Sequence, residues 1–206
     1  FEHMFLESAL RNALENDEFR LVYQPQFHLT SERLTGIEAL IRWEHPQQGT
    51  ISPGRFIPVA EQSGLIRDIG RWVLVTACQQ ARQWSDRGLD YGRIAVNVAG
   101  PQIQQAGFFD VVSDALNASG LPAQQLELEI TETTLMENPE RTIKLLDQLY
   151  GLGLHLAIDD FGTGYSSLSA LQQFPISTLK IDRSFVRDVV INADDATIVD
   201  TIIQMG

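Results

Sequence analysis

The sequence predicts an α/β barrel whose last strands are missing from these 206 residues. From residue 93 onward, β-branched apolar runs alternate with amphipathic helical stretches, a pattern typical of parallel strands joined by helical crossovers. The first two strand-like runs are joined by a short polar segment without a helix, so we expect them to pair antiparallel. We expect six strands in total, and a complete eight-stranded barrel takes about 250 residues.

Each expected strand is a short run rich in β-branched and aromatic residues between turn-forming residues. The first, FRLVYQ at 19–24, alternates in polarity, and the second, TGIEALIRW at 35–43, follows a polar break. The remaining strands are expected at 93–98, 126–131, 155–161 and 178–182.

The expected helices show apolar residues at helical spacing. Leucine recurs every four residues between Phe5 and Glu15. Pro53 opens a short helix that ends before Gly64, because proline is tolerated in a first turn and glycine commonly follows a last one. The other helices are expected at 67–87, 108–118, 138–150 and 166–173, and from Asp194 onward.

Composition limits the classes of protein that this chain can be. With 44% hydrophobic and 20% charged residues it suits one folded domain, which we place at 19–206 behind a leader helix at 1–18. The net charge of -12 argues against binding a nucleic acid polymer. Cys78 is the only cysteine and predicts a buried thiol in a reducing, cytoplasmic setting. No apolar run is long enough to insert into a membrane, although the parent protein could still be membrane-anchored.

Acidic and amide side chains end several of the expected strands. Glu38, Asn97 and Glu129 each lie at or near the end of a separate apolar run, as does the pair Asp159-Asp160. Because parallel barrel strands end at one rim, these groups are expected to converge there with Lys180. A ring of oxygen ligands with one lysine suits a Mg²⁺ or Mn²⁺ site for phosphoryl transfer.

Each of these features also has a purely structural explanation. Glu127 and Glu129 share one strand face, where a buried salt bridge would account for them equally well. Asp159 and Asp160 could be turn or capping residues. Lys180 and Asp182, expected on one face of the last strand, could form an interior ion pair.

Seven motifs in order make the chain resemble the EAL-domain phosphodiesterases that hydrolyse cyclic di-GMP. They are LVYQP at 21–25, EALIRWEHP at 38–46, FIPVAEQSGLI at 56–66, NVA at 97–99, LELEITET at 126–133, DDFGTGYSSL at 159–168 and LKIDRSFV at 179–186. The resemblance implies a TIM-like (β/α)8 barrel with an antiparallel first strand, in agreement with the expectation from the strand pattern.

The resemblance also implies two catalytic metal ions, Mg²⁺ or Mn²⁺, with Ca²⁺ inhibitory. Their ligands would be Glu38, Asn97, Glu129, Asp159 and Asp160, of which Glu38 and Asp160 are also counted as catalytic, and Lys180 would contact the attacking water. The product would be linear pGpG.

The remaining implied roles concern the ligand and a loop. Gln24, Leu40, Arg42 and Asp182 would contact cyclic di-GMP. Glu132 would steady the loop formed by Phe161, Gly162, Thr163, Gly164, Tyr165 and Ser166, which also supports a homodimer contact. The opening LESALRNALENDEF resembles the linker helix behind an upstream diguanylate cyclase (GGDEF) or sensor domain.

One family feature is absent from the sequence. The AEGVE motif, which supplies a further metal ligand, and a later glutamine do not occur in the chain, and we expect the parent protein to continue. Two alternatives remain open: a catalytically silent module that senses cyclic di-GMP, and a metal-dependent barrel acting on another phosphoester.

Overall fold

The computed structural model describes residues 2–164 and 171–205. Its strands are β1 Phe19–Phe27, β2 Leu34–His45, β3 Gly49–Ile51, β4 Arg93–Val98, β5 Leu126–Thr131, β6 His155–Phe161 and β7 Thr178–Ile181. Its helices are α1 Glu2–Ala13, α2 Pro53–Ser63, α3 Ile66–Asp86, α4 Gly100–Ile103, α5 Phe108–Ser119, α6 Glu132–Glu137, α7 Pro139–Gly151, α8 Arg183–Arg187 and α9 Ala193–Met205. A 3-10 turn, Ala123–Gln125, precedes β5.

The strands form one sheet in the order β1-β2-β4-β5-β6-β7. β1 and β2 pair antiparallel, and every later neighbour along this path pairs parallel. This confirms the expected α/β barrel-like architecture with an antiparallel first strand. Over the described residues the sheet stays open, with β1 and β7 at its two ends.

The structure adds short elements that the sequence reading missed. β3 pairs antiparallel with the end of β2, which makes a seventh strand. Helices α4, α6 and α8 have four to six residues each, too few for helical periodicity to be visible. β1 also continues past Pro25, which an end strand tolerates because one side of its backbone is unpaired. The helix expected at 166–173 lies largely outside the described residues.

The apolar core lies between the sheet and its helices. Side chains on the strand face turned toward the helices, such as Leu128 and Ile130, are fully buried beneath the helical layer. α3 contributes a long buried stripe that includes Cys78, and burial raises the pKa of this thiol to about 12. No described helix is both long and apolar enough to cross a membrane.

Candidate active site

Lys180 lies at the centre of a carboxylate cluster inside the sheet. Its Nζ is 2.6 Å from Glu129 Oε2, 3.2 Å from Glu38 Oε2 and 3.5 Å from Asp159 Oδ1. Asn97 joins the cluster by donating a 2.8 Å hydrogen bond to Glu38 Oε1. The convergence expected from the strand pattern is therefore present for Glu38, Asn97, Glu129 and Asp159 around Lys180.

Strand register explains why these residues meet. Asn97 on β4 pairs with Glu129 on β5. Glu38 on β2 pairs with Ala95, two residues before Asn97 on β4. Successive side chains in a strand alternate between faces, so Glu38, Asn97 and Glu129 all point to the interior. On the other side of β2, Gln24 is opposite Glu38 and is exposed.

The cluster carries more negative than positive charge. Glu129 is almost completely buried, and burial outweighs the attraction of Lys180, so the pKa of its carboxyl rises from 4.5 to about 8. Glu38 and Asp159 push it in the same direction as burial. The same carboxylates raise the pKa of Lys180, which keeps its ammonium charged. Glu129 Oε1 is buried without a hydrogen-bond partner among the described residues.

Asp160 and Asp182 form a second acidic pair next to the cluster. Asp160 has a left-handed backbone with φ of 52°, which turns the chain immediately after Asp159. Burial raises the pKa of Asp160, and so do the neighbouring Asp159 and the hydrogen bond with Asp182. The two adjacent aspartates therefore have different partners, with Asp159 beside Lys180 and Asp160 hydrogen-bonded to Asp182.

Asp182 differs from the sequence expectation. We expected it on the same strand face as Lys180, but β7 ends at Ile181. Asp182 instead caps α8 by accepting a 2.8 Å hydrogen bond from the backbone of Ser184. The expectation was wrong because the sequence analysis did not predict α8, and aspartate is among the preferred residues at a helix N-cap.

Glu132 connects the end of β5 to the loop after β6. It is buried at the start of α6 and accepts hydrogen bonds from the backbone of Gly162 at 3.1 Å and Gly164 at 3.3 Å. Thr163 turns back by donating to the Asp160 carbonyl at 2.8 Å. Tyr165 and Ser166, the rest of the expected loop, lie outside the described residues.

A cavity of about 300 Å³ adjoins the cluster. Its lining includes Leu40, Arg42, Pro53, Ile57, Glu61 and Asn97. The walls are largely apolar, as is usual where a protein binds a small organic ligand. Sequence reasoning found Leu40 and Arg42 but missed the contribution of α2, because Pro53 and Ile57 read as ordinary helix residues.

The residues present fit divalent metal ions. No described group of three or more acidic, histidine or cysteine side chains is already arranged around an ion position. The cluster nevertheless offers hard oxygen donors and excess negative charge, and one buried carboxylate oxygen of Glu129 has no hydrogen-bond partner within the part of the chain that the structure describes. These are the ligands and the charge that Mg²⁺ and Mn²⁺ require.

Fold and site together define an α/β-barrel domain with a buried carboxylate–lysine centre at the carboxyl ends of its parallel strands. The model of the EAL domain family matches residues 7–206, and the chain belongs to this family. The resemblance found in the sequence motifs is thereby confirmed.

Two relatives from Pseudomonas aeruginosa illustrate the similarity. The bifunctional diguanylate cyclase/cyclic di-GMP phosphodiesterase MucR is 46% identical over 205 residues, which cover 100% of this chain and 30% of MucR. The cyclic di-GMP phosphodiesterase NbdA is 44% identical over 205 residues, covering 100% of this chain and 26% of NbdA. The chain thus spans between about a quarter and a third of the length of these relatives.

Solved structures share the fold. The PaMucR phosphodiesterase in complex with c-di-GMP aligns with a TM-score of 0.95 and 46% identity, covering 98% of this chain and 82% of that one. The FimX EAL domain from Pseudomonas aeruginosa bound to c-di-GMP aligns with a TM-score of 0.86 and 26% identity, covering 97% and 80%.

Proposed function

We propose that this domain hydrolyses cyclic di-GMP to linear pGpG. The observation that carries the proposal is the cluster of Glu38, Glu129 and Asp159 around Lys180, within 3.5 Å of its ammonium and beside an apolar cavity. The MucR phosphodiesterase, which has the same fold at 46% identity, was solved with c-di-GMP.

Metal binding is assigned to the oxygen-rich cluster. Glu38, Asn97, Glu129, Asp159 and Asp160 would hold two ions. Mg²⁺ or Mn²⁺, when bound, would polarise the phosphodiester and lower the pKa of a water molecule. Ca²⁺ is larger and takes six to eight ligands in a flexible geometry, so we propose that it binds without supporting turnover.

Protein side chains position the reactants. The Lys180 ammonium has three protons to donate, and one of them would orient the attacking water. Arg42, at the cavity wall, would pair with a phosphate, and Leu40 would pack against a base. Gln24 is paired with Glu38 across β1 and β2, and Asp182 is hydrogen-bonded to Asp160, so both would contact the rest of the ligand.

Glu132 would keep the loop after β6 in its working geometry. Its carboxylate holds the loop backbone at Gly162 and Gly164. The loop begins at Phe161 and carries Asp160 at its base, so ordering it would also order this proposed metal ligand. We include a homodimer contact through the same loop in the proposal.

The domain is proposed to work within a larger cytoplasmic protein. MucR and NbdA are three to four times as long as this chain. The leader helix α1 packs on α2, a helix that lines the cavity, which gives an upstream GGDEF or sensor domain a physical route to the site.

A second candidate function is binding of cyclic di-GMP without turnover. The observation that favours it is that Lys180 already neutralises part of the carboxylate cluster in the described residues. Such a domain would sense the ligand and transmit its presence to a partner domain.

The deciding experiment is a chromatographic assay for pGpG from cyclic di-GMP and Mn²⁺. It compares the full-length protein with Glu38→Ala and with a matched exposed variant, Glu140→Ala. We expect product from the parent and from Glu140→Ala but none from Glu38→Ala. Equal hydrolysis by Glu38→Ala would overturn the proposal, and ligand binding without product would favour the sensor. Parallel reactions with cyclic AMP and p-nitrophenyl phosphate esters test for another phosphoester substrate.

A further inference from the structure

A second polar cluster lies in the barrel interior beneath the proposed active site. Its centre is Glu127, whose side chain is only 7% exposed. Glu127 Oε2 is 3.1 Å from Arg93 Nη1 and accepts a 3.3 Å hydrogen bond from Thr178 Oγ1. The proposed function uses none of these three residues. Arg93 supplies the pairing that a buried carboxylate needs, and the hydrogen bond from Thr178 adds a link to β7.

The lower cluster repeats the geometry of the site one step along the strands. The pair Glu127–Thr178 and the pair Glu129–Lys180 both join β5 to β7, and both are separated by 51 residues in sequence. Two residues advance a strand by about 6.6 Å and return to the same face. The two pairs are therefore successive rungs of one interior ladder.

A small residue makes this ladder possible. β6 lies between β5 and β7, and its interior residue at this level is Ala157, which is paired with both Glu129 and Thr178. Ala157 is fully buried and has no side chain beyond Cβ. Side chains from β5 and β7 can thus meet across β6.

Backbone pairing alone fixes Lys180 weakly. β7 has four residues, and among the described strands it pairs only with β6. The register of that pairing shifts between Ile158 and Phe161, at the level where Lys180 lies. The regular pairing that remains is at Thr178 and Leu179, directly below it.

We propose that Glu127 and Thr178 are positioning residues. They fix where Lys180 lies along the sheet and which way its side chain points. Arg93 holds the Glu127 carboxylate in place, Glu127 holds the Thr178 hydroxyl, and this contact fixes β7 two residues before the lysine. The inference deepens the proposed function and rests on it for its kinetic part. The role is geometric, because neither residue touches Lys180 in the contacts described.

The test is Thr178→Val, which keeps the shape of the side chain and removes the hydroxyl. In the full-length protein with Mn²⁺ we expect kcat for cyclic di-GMP to fall about tenfold and KM to stay within about twofold, since a misplaced catalytic group mainly costs rate. Thr178→Ser, which restores the hydroxyl, should recover most of kcat.

Thr142 provides a matched control. It is a buried threonine on α7 whose hydroxyl has no hydrogen-bond partner among the described residues. Thr142→Val makes the same chemical change away from the ladder and should leave kcat unchanged. An unchanged kcat in Thr178→Val, or a loss not recovered by Thr178→Ser, would overturn the inference.

A thermal measurement without metal or substrate tests the ladder independently of turnover. The midpoints of Thr178→Val, Lys180→Met and the double variant form a cycle. If the Glu127–Thr178 and Glu129–Lys180 contacts are coupled, the thermal midpoint of the double variant falls by less than the sum of the two single decreases. Additive decreases would overturn the inference. Absence of pGpG from the parent protein would refute the proposed function and leave this cycle valid.

Discussion

Glu129→Gln is expected to stabilise the metal-free domain while destroying its metal site. In the parent, the pKa of the Glu129 carboxyl is 4.5 when exposed and about 8 in the fold, so folding at neutral pH takes up a proton. A raised native pKa of an acid lowers stability progressively as pH rises from about 4.5 to about 8. Glutamine is uncharged throughout this range and escapes the cost.

The magnitude follows from the pKa values. At about 1.4 kcal/mol per unit, the cost of Glu129 is about 1 kcal/mol at pH 5 and about 3 kcal/mol at pH 7. The native Glu129 carboxyl is already largely uncharged at both pH values, so glutamine leaves the charge beside the Lys180 ammonium nearly the same at pH 5 and pH 7. The free energy of unfolding of the variant, relative to that of the parent, should therefore increase by about 2 kcal/mol from pH 5 to pH 7.

Urea denaturation in EDTA at both pH values measures this difference. Glu140→Gln, an exposed change on α7, is the control and should follow the parent at each pH. If the free energies of unfolding of the variant and the parent change equally between pH 5 and pH 7, the reasoning is refuted. Added Mn²⁺ should then raise the stability of the parent and leave Glu129→Gln nearly unchanged.

Three further predictions concern Glu132, Cys78 and Gly92. Glu132→Ala should lower turnover more than stability, because two loop amides lose their acceptor, and Glu132→Gln should restore part of the rate in the same assay. Cys78 should resist iodoacetamide at pH 8 in the folded protein and react once urea unfolds it, since its thiol is buried with a pKa of about 12. Gly92→Ala should lower the urea midpoint sharply, because a Cβ at φ of 76° would lie 2.0 Å from the Thr35 carbonyl oxygen.

The main architecture and the central residues of the site were predictable from sequence. Alternation of strands and helices sets the parallel order, and polar residues at strand ends converge for topological reasons, as Glu38 and Lys180 show. Such long-range contacts follow once the strands are known to be parallel neighbours, because the face and the end of each side chain are then fixed.

What the sequence could not predict depends on short elements and shape. Asp182 caps a five-residue helix, and a single turn leaves no periodic signal. The cavity wall from α2 depends on how a helix packs, which residue types such as Pro53 do not encode. The interior rung at Glu127 required the stagger between β5 and β7, and that stagger depends on the registers with which both strands pair with β6.

The contact between Lys180 and Glu38 has a consequence for folding order. The two residues are 142 positions apart, and closing so long a loop is a slow, entropically costly event. The β1–β2 hairpin, by contrast, is local and can form early. The cation should therefore reach Glu38 only after the intervening strands have assembled, so that a nascent domain completes its charge balance in one of its last folding steps.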